Sequence, residues 1–397
     1  MKQYGFIILF AFILRIVWLF LLAPYFPNAL GSANWLLNTH TSTSDIGNIV
    51  SPDFNQVYDP GARGILSGEG FVDQDGNLTA YVGPGYSFFI AVIYYFFGIN
   101  LVILRVIQII LDVITCLIAG LIGKYLFGDR IGKISMFIYA IYPFTFYQTG
   151  LLVSETLCTF LTAASILLIL KAHSDNLTKN ENKRNILFAL FLGGVLLGLS
   201  SLVRPNTLPL FLPFYVFIIY GFKNLIKEPS LFLIGLSITV LPWIFRNYLV
   251  FDQFIPISSI VFYSYQDIDG SIQSSLFEVI YRKIISIFGT LESIIENLTR
   301  FITIWFSTSS GLLDRYIFIM QIPFLVLIGI GFVFGFKANK LGTILSTFSL
   351  VIFIGVLVFI AKNALARYTV PILPIIIPFL ALSMGELYSR LLKRQDI

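Results

Sequence analysis

The sequence predicts an all-α polytopic membrane protein with about ten transmembrane helices, and three observations support this prediction. First, 57% of the 397 residues are hydrophobic and 12% are charged, whereas a soluble globular domain carries about 25% charged residues. Second, the mean hydropathy is +0.86, and apolar runs near the roughly 20 residues that a membrane helix needs recur along the chain. Third, Lys and Arg gather in alternate turns between these runs. The net charge of +5 is modest and does not indicate nucleic-acid binding.

The ten predicted spans follow from the lengths of the apolar runs. They lie near residues 4–23, 101–123, 131–151, 152–171, 185–203, 207–222, 229–249, 316–336, 342–361 and 369–388. The first run is longer than the roughly 7–15-residue core of a signal peptide and has no small-residue cleavage site, so we interpret it as a retained membrane helix. Two shorter stretches, Gly85–Gly98 and Phe301–Leu313, have the length of interfacial or re-entrant segments.

The distribution of basic residues sets the predicted orientation, because cytoplasmic loops are enriched in Lys and Arg. With ten spans and a cytoplasmic N-terminus, the inner turns collect most of these residues: Lys2, Lys124, Arg130, Lys133, Lys171, Lys179, Lys183, Arg184, Lys223, Lys227, Lys337, Lys340, Arg390, Lys393 and Arg394. A crossing by Gly85–Gly98 would turn these basic loops outward. We therefore predict a multi-pass protein of the inner (plasma) membrane with both termini in the cytoplasm.

Two stretches are too long to be turns, and both fall on the outer side. We predict a single membrane domain over 1–397, with a first outer loop over 25–100 and a second over 251–315. A channel or a symmetric carrier needs no such asymmetry, whereas an enzyme that works at the outer membrane surface does. The two halves of the chain show no internal repeat, which weakens an inverted-repeat transporter.

Three carboxylates of the first outer loop lie closest to the first membrane helix: Asp45, Asp53 and Asp59. A carboxylate beside a cavity at the membrane surface can deprotonate an attacking hydroxyl or amine, or bind a divalent cation. The same residues also fit ordinary solvated loop acids. The spacing alone leaves both interpretations open.

A series of short motifs extends over nearly the whole chain. It begins with Asp53, Tyr58, Ala62-Arg63, Leu66, Gly68-Glu69-Gly70-Phe71, Pro84-Gly85-Tyr86 and an apolar stretch ending in Phe97-Gly98. It continues with Lys124–Gly128, Ala140–Pro143, Leu151–Glu155, Val203–Pro205, Pro242–Asn247 and Ala366–Tyr368, followed by Pro371 and Pro374. In this order the motifs resemble the membrane glycosyltransferases of the GT-C fold. The most similar type is the aminoarabinose transferase and protein O-mannosyltransferase group, which uses polyprenyl-phosphate-linked sugars.

The resemblance implies an Asp of the first outer loop as catalytic base and juxtamembrane helices in that loop. The family places this Asp about four residues before the Tyr, whereas Asp53 precedes Tyr58 by five. We predict Asp53 as the base, and Asp45 and Asp59 remain rivals.

Glu155 matches the family's second acidic residue, and we predict it as a second catalytic residue. An ionisable group within a span costs about 2.5–3.5 kcal/mol on insertion scales, which makes it a functional candidate. The alternative is an interfacial Glu155 paired with Arg204. Asp112, in the middle of the second span, is expected to pair with Arg15 or Arg105 in a structural role.

A lipid-phosphate leaving group needs cations at the outer surface, and Arg fits phosphate bidentately. The predicted substrate-binding residues are Tyr58, Arg204, Arg246, Lys362, Arg367 and Tyr368. The four cations all lie at outer helix ends. Snorkelling to lipid headgroups is the alternative explanation for each of them.

These residues predict an inverting glycosyltransferase that moves a sugar from a polyprenyl-phosphate donor to a lipid, protein or glycan acceptor at the outer face. The sequence requires no cofactor, and a divalent metal is possible. The alternatives are a lipid or oligosaccharide transporter or flippase, and a membrane polysaccharide polymerase. The sugar, the acceptor and any metal dependence do not follow from the sequence.

Overall fold

The structure, a computed structural model, describes residues 2–22, 53–179, 182–222, 226–259, 311–360 and 366–395, with isolated positions between 290 and 299. No β-strand occurs among these residues, and an isolated bridge joins Val72 and Leu78. The predicted all-α membrane fold is confirmed. Asp45, Lys362 and most of the predicted second outer loop lie outside the described residues.

The described helices alternate with short turns. The first part of the chain forms α1 (Lys2–Val17), which continues into a π-helical turn (Trp18–Leu22). The predicted first outer loop contains a π-helical turn (Phe54–Tyr58), α2 (Asp59–Ser67) and α3 (Gly85–Phe97). The middle of the chain forms α4 (Leu101–Phe127), α5 (Asp129–Ile141), α6 (Pro143–Gly150), α7 (Glu155–Thr178), α8 (Lys183–Val203), a 3₁₀ turn Pro205–Leu210, α9 (Phe211–Phe222) and α10 (Lys227–Phe251). The last part forms α11 (Gly311–Ala338), α12 (Lys340–Ile360), a 3₁₀ turn Ala366–Ile372 and α13 (Leu373–Gln395).

Within the described ranges, nine helices are long and apolar enough to cross a membrane. The prediction of one continuous helix over 131–151 is wrong, because the chain breaks there into α5 and α6. Tyr142 is extended (φ −68°, ψ 121°) and Pro143 opens α6. A residue that precedes proline avoids the helical region, and proline is well suited to the first turn of the next helix.

The two short helices together run back along the length of α4. The Cys116 thiol, near the middle of α4, donates to the Met136 carbonyl oxygen at 3.3 Å. Near the start of α4, Arg105 Nε donates to the carbonyl oxygen of Gly150 at the end of α6, at 3.0 Å. At about 1.5 Å per residue, α5 and α6 together approach the roughly 30 Å of a hydrocarbon core. The pair α5–α6 is therefore long enough for the predicted third span, and the topology of ten spans stays a prediction.

The bundle has two chemically different ends. At the end where α4 begins, α7 begins and α8 ends, residues 53–97 pack on the helices; we call this the loop end. Gly83, for example, lies directly against the Leu202 backbone, where a Cβ atom would approach the carbonyl oxygen to 2.1 Å. The helices α2 and α3 are the expected helices of the first outer loop, and their position along the membrane surface stays a prediction.

The opposite end, which we call the basic end, holds the first and last described turns of the chain. Tyr4 of α1 donates to Asp129 Oδ1 at 3.1 Å, and Lys133 forms an ion pair with the same carboxylate at 2.8 Å. Gly385 of α13 lies against the Ile131 side chain. The beginning of α1 and the end of α13 therefore lie together, away from the loop end.

A buried ion pair joins α1 to the middle of the bundle. Arg15, which is 0% exposed, donates through Nε to Asp112 Oδ2 at 2.5 Å. Tyr139 donates to the other carboxylate oxygen at 2.9 Å, and Arg15 Nη1 donates to the Ala140 carbonyl oxygen at 2.9 Å. Of the two partners expected for Asp112, Arg15 and Arg105, Arg15 forms the ion pair. The carbonyl of Ala140 lies in the last turn of α5, where helix carbonyls lose their regular partners.

We predict that Asp112→Leu lowers stability by roughly 3–5 kcal/mol, because it leaves the Arg15 charge buried without its counter-ion. The double variant Arg15→Met/Asp112→Leu should recover most of this loss, since both charges are then absent. Thermal unfolding in detergent, followed by loss of the monodisperse peak, measures both effects. An unchanged melting temperature in Asp112→Leu would contradict a structural role for the pair.

Candidate functional site

The chain between α6 and α7 is irregular, and two side chains of α4 bind its carbonyl groups. Gln108 Nε2 donates to the carbonyl oxygen of Leu151 at 2.9 Å, and Arg105 Nε donates to that of Gly150. Both side chains are almost completely buried. A buried carbonyl without a partner is costly, so these hydrogen bonds fix the irregular segment. The segment ends at Ser154, directly before α7 begins.

An ion pair joins the start of α7 to the end of α8. Arg204 Nη1 lies 3.0 Å from Glu155 Oε1, and the two side chains are 21% and 3% exposed. The same nitrogen donates to Ser154 Oγ at 3.3 Å. Burial acts to lower the pKa of Arg204, but the adjacent Glu155 carboxylate outweighs it and raises this pKa above its usual range. The guanidinium therefore keeps its positive charge.

Tyr368 completes one side of this group. The Arg204 guanidinium carbon lies 4.9 Å from the centroid of the Tyr368 ring, a cation–π arrangement. Tyr368 belongs to the 3₁₀ turn that leads into α13. Arg367 precedes it in the same turn, and its side chain lies outside the described residues.

The first outer loop reaches the ion pair through Tyr58. Its hydroxyl donates to Ser154 Oγ at 3.2 Å, and its ring packs edge-to-face on Tyr86 with centroids 4.9 Å apart. Burial raises the pKa of Tyr58 far above its ordinary value, and the charge of Arg204 only partly offsets this effect. Tyr58 is therefore a protonated hydrogen-bond donor at physiological pH. Tyr86 in turn donates to Gln108 Oε1, so the loop and the irregular segment share one buried network.

Asp53 lies one turn before Tyr58, at the start of the π-helical turn, with an exposed side chain. Its charge acts on the Tyr58 hydroxyl and contributes to the raised pKa of that group. Asp59 is arranged differently, since Tyr94 donates to its Oδ1 at 2.7 Å and Arg63 donates to its Oδ2 at 2.7 Å. Both oxygens of Asp59 are thus occupied, and they tie α2 to α3.

Arg246 makes its contacts with another part of the first outer loop. It donates through Nη1 to the Thr79 carbonyl oxygen at 2.9 Å and to Asn247 Oδ1 at 3.1 Å. Its guanidinium carbon lies 4.7 Å from the Trp243 ring centroid. These contacts anchor the loop to the end of α10 and do not include the Glu155–Arg204 pair.

Four of the predicted site residues thus lie in one cluster, which we call the loop-end cluster: Tyr58, Glu155, Arg204 and Tyr368, together with Ser154. Asp53 lies beside it. Sequence reasoning missed Ser154, although it stands inside the quoted motif Leu151–Glu155. It also missed Gln108, whose polar side chain lies between Arg105 and Asp112 within a span, and this placement was the available signal. No group of three His, Cys, Asp or Glu side chains arranged to hold a metal ion occurs in the part of the chain that the structure describes.

Comparisons with known proteins bear on the fold. Residues 81–245 match the sequence model of the family described as dolichyl-phosphate-mannose-protein mannosyltransferase. No curated protein sequence matches the chain.

Solved structures resemble it over nearly its full length. ArnT from Cupriavidus metallidurans in the apo state has 12% sequence identity and a TM-score of 0.61, covering 100% of this chain and 62% of that chain. The same protein bound to undecaprenyl phosphate has 13% identity and a TM-score of 0.56, covering 96% and 60%. The archaeal oligosaccharyltransferase AglB from Archaeoglobus fulgidus, in complex with an inhibitory peptide and a dolichol-phosphate, has 16% identity and a TM-score of 0.51, covering 99% and 51%.

The chain thus spans less than two thirds of the length of each of these proteins. The predicted resemblance is confirmed at the level of the fold: the chain has the polytopic GT-C fold of ArnT and AglB, and residues 81–245 match the mannosyltransferase family model.

Proposed function

We propose that the protein is an inverting glycosyltransferase that moves a sugar from a polyprenyl-phosphate donor to an acceptor at the outer face of the membrane. The observation that carries the proposal is the loop-end cluster, which assembles residues from four separate segments around the Glu155–Arg204 ion pair. The ArnT structure with undecaprenyl phosphate and the AglB structure with dolichol-phosphate support a lipid-phosphate ligand for this fold. The acceptor is a lipid, a protein or a glycan.

Arg204 is the proposed ligand of the donor phosphate. Guanidinium and phosphate make strong, charge-assisted hydrogen bonds. As the bond between the anomeric carbon and the phosphate oxygen breaks, negative charge grows on the leaving polyprenyl phosphate, and a fixed cation stabilises it. Arg367 stands next to Tyr368 in sequence and is proposed, with Lys362, as a second phosphate ligand. Arg246 contributes by holding the loop at Thr79.

Asp53 is the proposed general base. It is exposed, and its charge acts on the Tyr58 hydroxyl of the loop-end cluster. Asp53 takes the proton from the acceptor hydroxyl or amine as this group attacks the anomeric carbon. Polyprenyl phosphate leaves with the bonding electrons, and the single displacement inverts the anomeric centre. A phosphate leaves readily as an anion, so the scheme needs no general acid, unlike the carboxylate pair of a glycosidase.

The proposal places the loop end outside and the basic end in the cytoplasm of a plasma-membrane protein, as the positive-inside rule favours. Both described ends of the chain lie at the basic end, next to Asp129 and Ile131. This arrangement agrees with an even number of crossings. The third crossing is then the kinked pair α5–α6.

We predict that Glu69→Cys reacts with a membrane-impermeant maleimide on intact cells. Asn176→Cys should react only after permeabilisation. Both positions are exposed and lie at opposite ends of the bundle, and the native Cys116 and Cys158 are buried, so they give little background. Labelling of intact and lysed cells measures the difference. The reverse pattern would place the site in the cytoplasm and contradict an outer-face enzyme.

We predict that Asp53→Asn lowers the transfer rate by roughly 10²–10⁴-fold, the usual contribution of a general base. Its melting temperature should not change, because the side chain is exposed. Asp75→Asn, which removes an equivalent exposed charge from the same loop, is the matched control and should keep wild-type activity. The measurement is transfer of label from a radiolabelled polyprenyl-phosphate sugar in membranes.

The same assay separates the alternatives. Full activity of Asp53→Asn would exclude Asp53 as the base, and loss of activity in Asp45→Asn or Asp59→Asn would move the assignment. Movement of the labelled lipid across the bilayer without a new glycosidic bond would indicate a transporter. Growth of a repeating product that survives Asp53→Asn would indicate a polymerase.

We predict that Arg204→Met loses both activity and stability, because it leaves the Glu155 carboxylate buried without a counter-ion, at a cost of roughly 3–5 kcal/mol. The double variant Arg204→Met/Glu155→Leu should regain the melting temperature and remain inactive. A purely structural ion pair predicts that activity returns together with stability. Thermal unfolding and the transfer assay on the same preparations distinguish the two outcomes.

A further inference from the structure

The side chain of Asn206 is buried, and the residue lies close in sequence to Arg204 of the ion pair. It stands two residues after Arg204, in the 3₁₀ turn Pro205–Leu210, and is 7% exposed. Neither its Nδ2 nor its Oδ1 has a hydrogen-bond partner among the described residues. Buried amides in proteins are nearly always paired, so this group calls for a specific explanation.

The neighbouring polar side chains of the turn are paired with one another. Thr207 Oγ1 donates to the Arg204 carbonyl oxygen at 3.0 Å and accepts from Ser200 Oγ at 3.3 Å. A 3₁₀ helix has three residues per turn, so successive side chains point about 120° apart. Asn206 therefore faces away from the side on which Thr207 meets α8. Its amide does not belong to the hydroxyl cluster that joins α7 to α8.

A second unpartnered group flanks the ion pair on the other helix. Thr156, directly after Glu155, is 3% exposed, and its Oγ1 has no partner in the described chain. Other hydroxyls of α7 are satisfied; for example, Thr159 donates to the Glu155 carbonyl oxygen at 2.7 Å. Each member of the Glu155–Arg204 pair therefore has, within two residues in sequence, a buried polar side chain that is unpaired among the described residues.

The chemistry of these groups differs from that of a phosphate site. Asn206 offers two N–H donors and an acceptor oxygen, and Thr156 offers one donor and an acceptor. A phosphodiester has acceptor oxygens alone, so it cannot satisfy Asn206 Oδ1. A hydroxyl group donates and accepts at once, and a sugar carries several of them. In the donor, the sugar is bonded directly to the phosphate that Arg204 is proposed to bind.

We propose that Asn206 binds a hydroxyl group of the sugar carried by the donor and so determines which sugar is transferred. This inference rests on the proposed function. Sites that hydrogen-bond a substrate hydroxyl discriminate strongly against an analogue that lacks it, because their own buried groups are then left without partners. Asn206 is in this sense a specificity-determining residue, and Arg204 supplies sugar-independent affinity.

The test compares Asn206→Leu with Asn247→Leu in purified full-length protein. Asn247 is the matched control, since it is fully buried and its amide is paired, donating to the Ile255 carbonyl oxygen at 3.1 Å. Leu removes the amide in both variants at similar volume. We expect Asn206→Leu to keep or raise the melting temperature, because it deletes unpaired polar atoms, and Asn247→Leu to lower it. A drop in Asn206→Leu as large as that in Asn247→Leu would make Asn206 structural and overturn the inference.

The second readout is selectivity among donors. The probes are undecaprenyl-phosphate-linked hexoses and pentoses together with analogues that each lack one hydroxyl. Wild-type protein should disfavour one deoxy analogue in kcat/KM by roughly 10- to 100-fold, the effect of one buried hydrogen-bonding group. Asn206→Leu should have a lower kcat/KM for the parent donor and should therefore use the parent and that analogue equally well. Asn247→Leu should keep the wild-type ratio of kcat/KM between the two donors.

The outcomes separate this inference from the function on which it rests. If wild-type protein transfers sugar and Asn206→Leu retains its full selectivity, the role of Asn206 is wrong and the transferase assignment stands. If wild-type protein transfers no sugar from any of these donors while it moves the lipid across the bilayer, the transferase assignment fails and this inference fails with it.

Discussion

Hydrogen bonds from three buried side chains to backbone carbonyl groups hold the third crossing in its broken form. Arg15 binds the carbonyl of Ala140, Arg105 that of Gly150, and Gln108 that of Leu151. Inside a bilayer no water is present to replace these bonds, so irregular backbone persists only where protein groups satisfy it. The break in turn lets the chain present Ser154 and Glu155 at the loop end. The loop-end cluster therefore depends on buried side chains of α1 and α4.

Much of the helical framework follows from the sequence, because length and hydropathy determine which segments cross a bilayer. The pairing of Asp112 was also foreseeable, since an ionisable group within a span requires a partner. The break at Pro143 was not. Pro242, Pro323 and Pro378 lie inside long helices without ending them. Whether a proline bends or breaks a helix depends on the side chains that receive the freed carbonyl groups, and these come from distant segments.

The candidate site was predictable to a similar degree. Glu155 and Arg204 stood out as charged residues at helix ends, and the structure joins them directly. Arg246 is also an arginine near a helix end, yet it binds the Thr79 carbonyl. The path of the first outer loop determines which arginine contacts a carboxylate and which contacts a backbone carbonyl. Asp59 likewise accepts a hydrogen bond from Tyr94, which lies 35 residues further along the chain. Spacing within a motif carries no information on such partners.

The Ser154 hydroxyl links the first outer loop to the end of α8. Its oxygen accepts from Tyr58 of the first loop and from Arg204 of α8 at once, so both of its lone pairs are used. A ligand that displaces Tyr58 alters the hydrogen bonding around the guanidinium. By thermodynamic reciprocity, an anion that draws Arg204 away alters the affinity of the loop for its own ligand by the same factor. The binding of ligands on the two sides of Ser154 would thereby be coupled through a single oxygen atom.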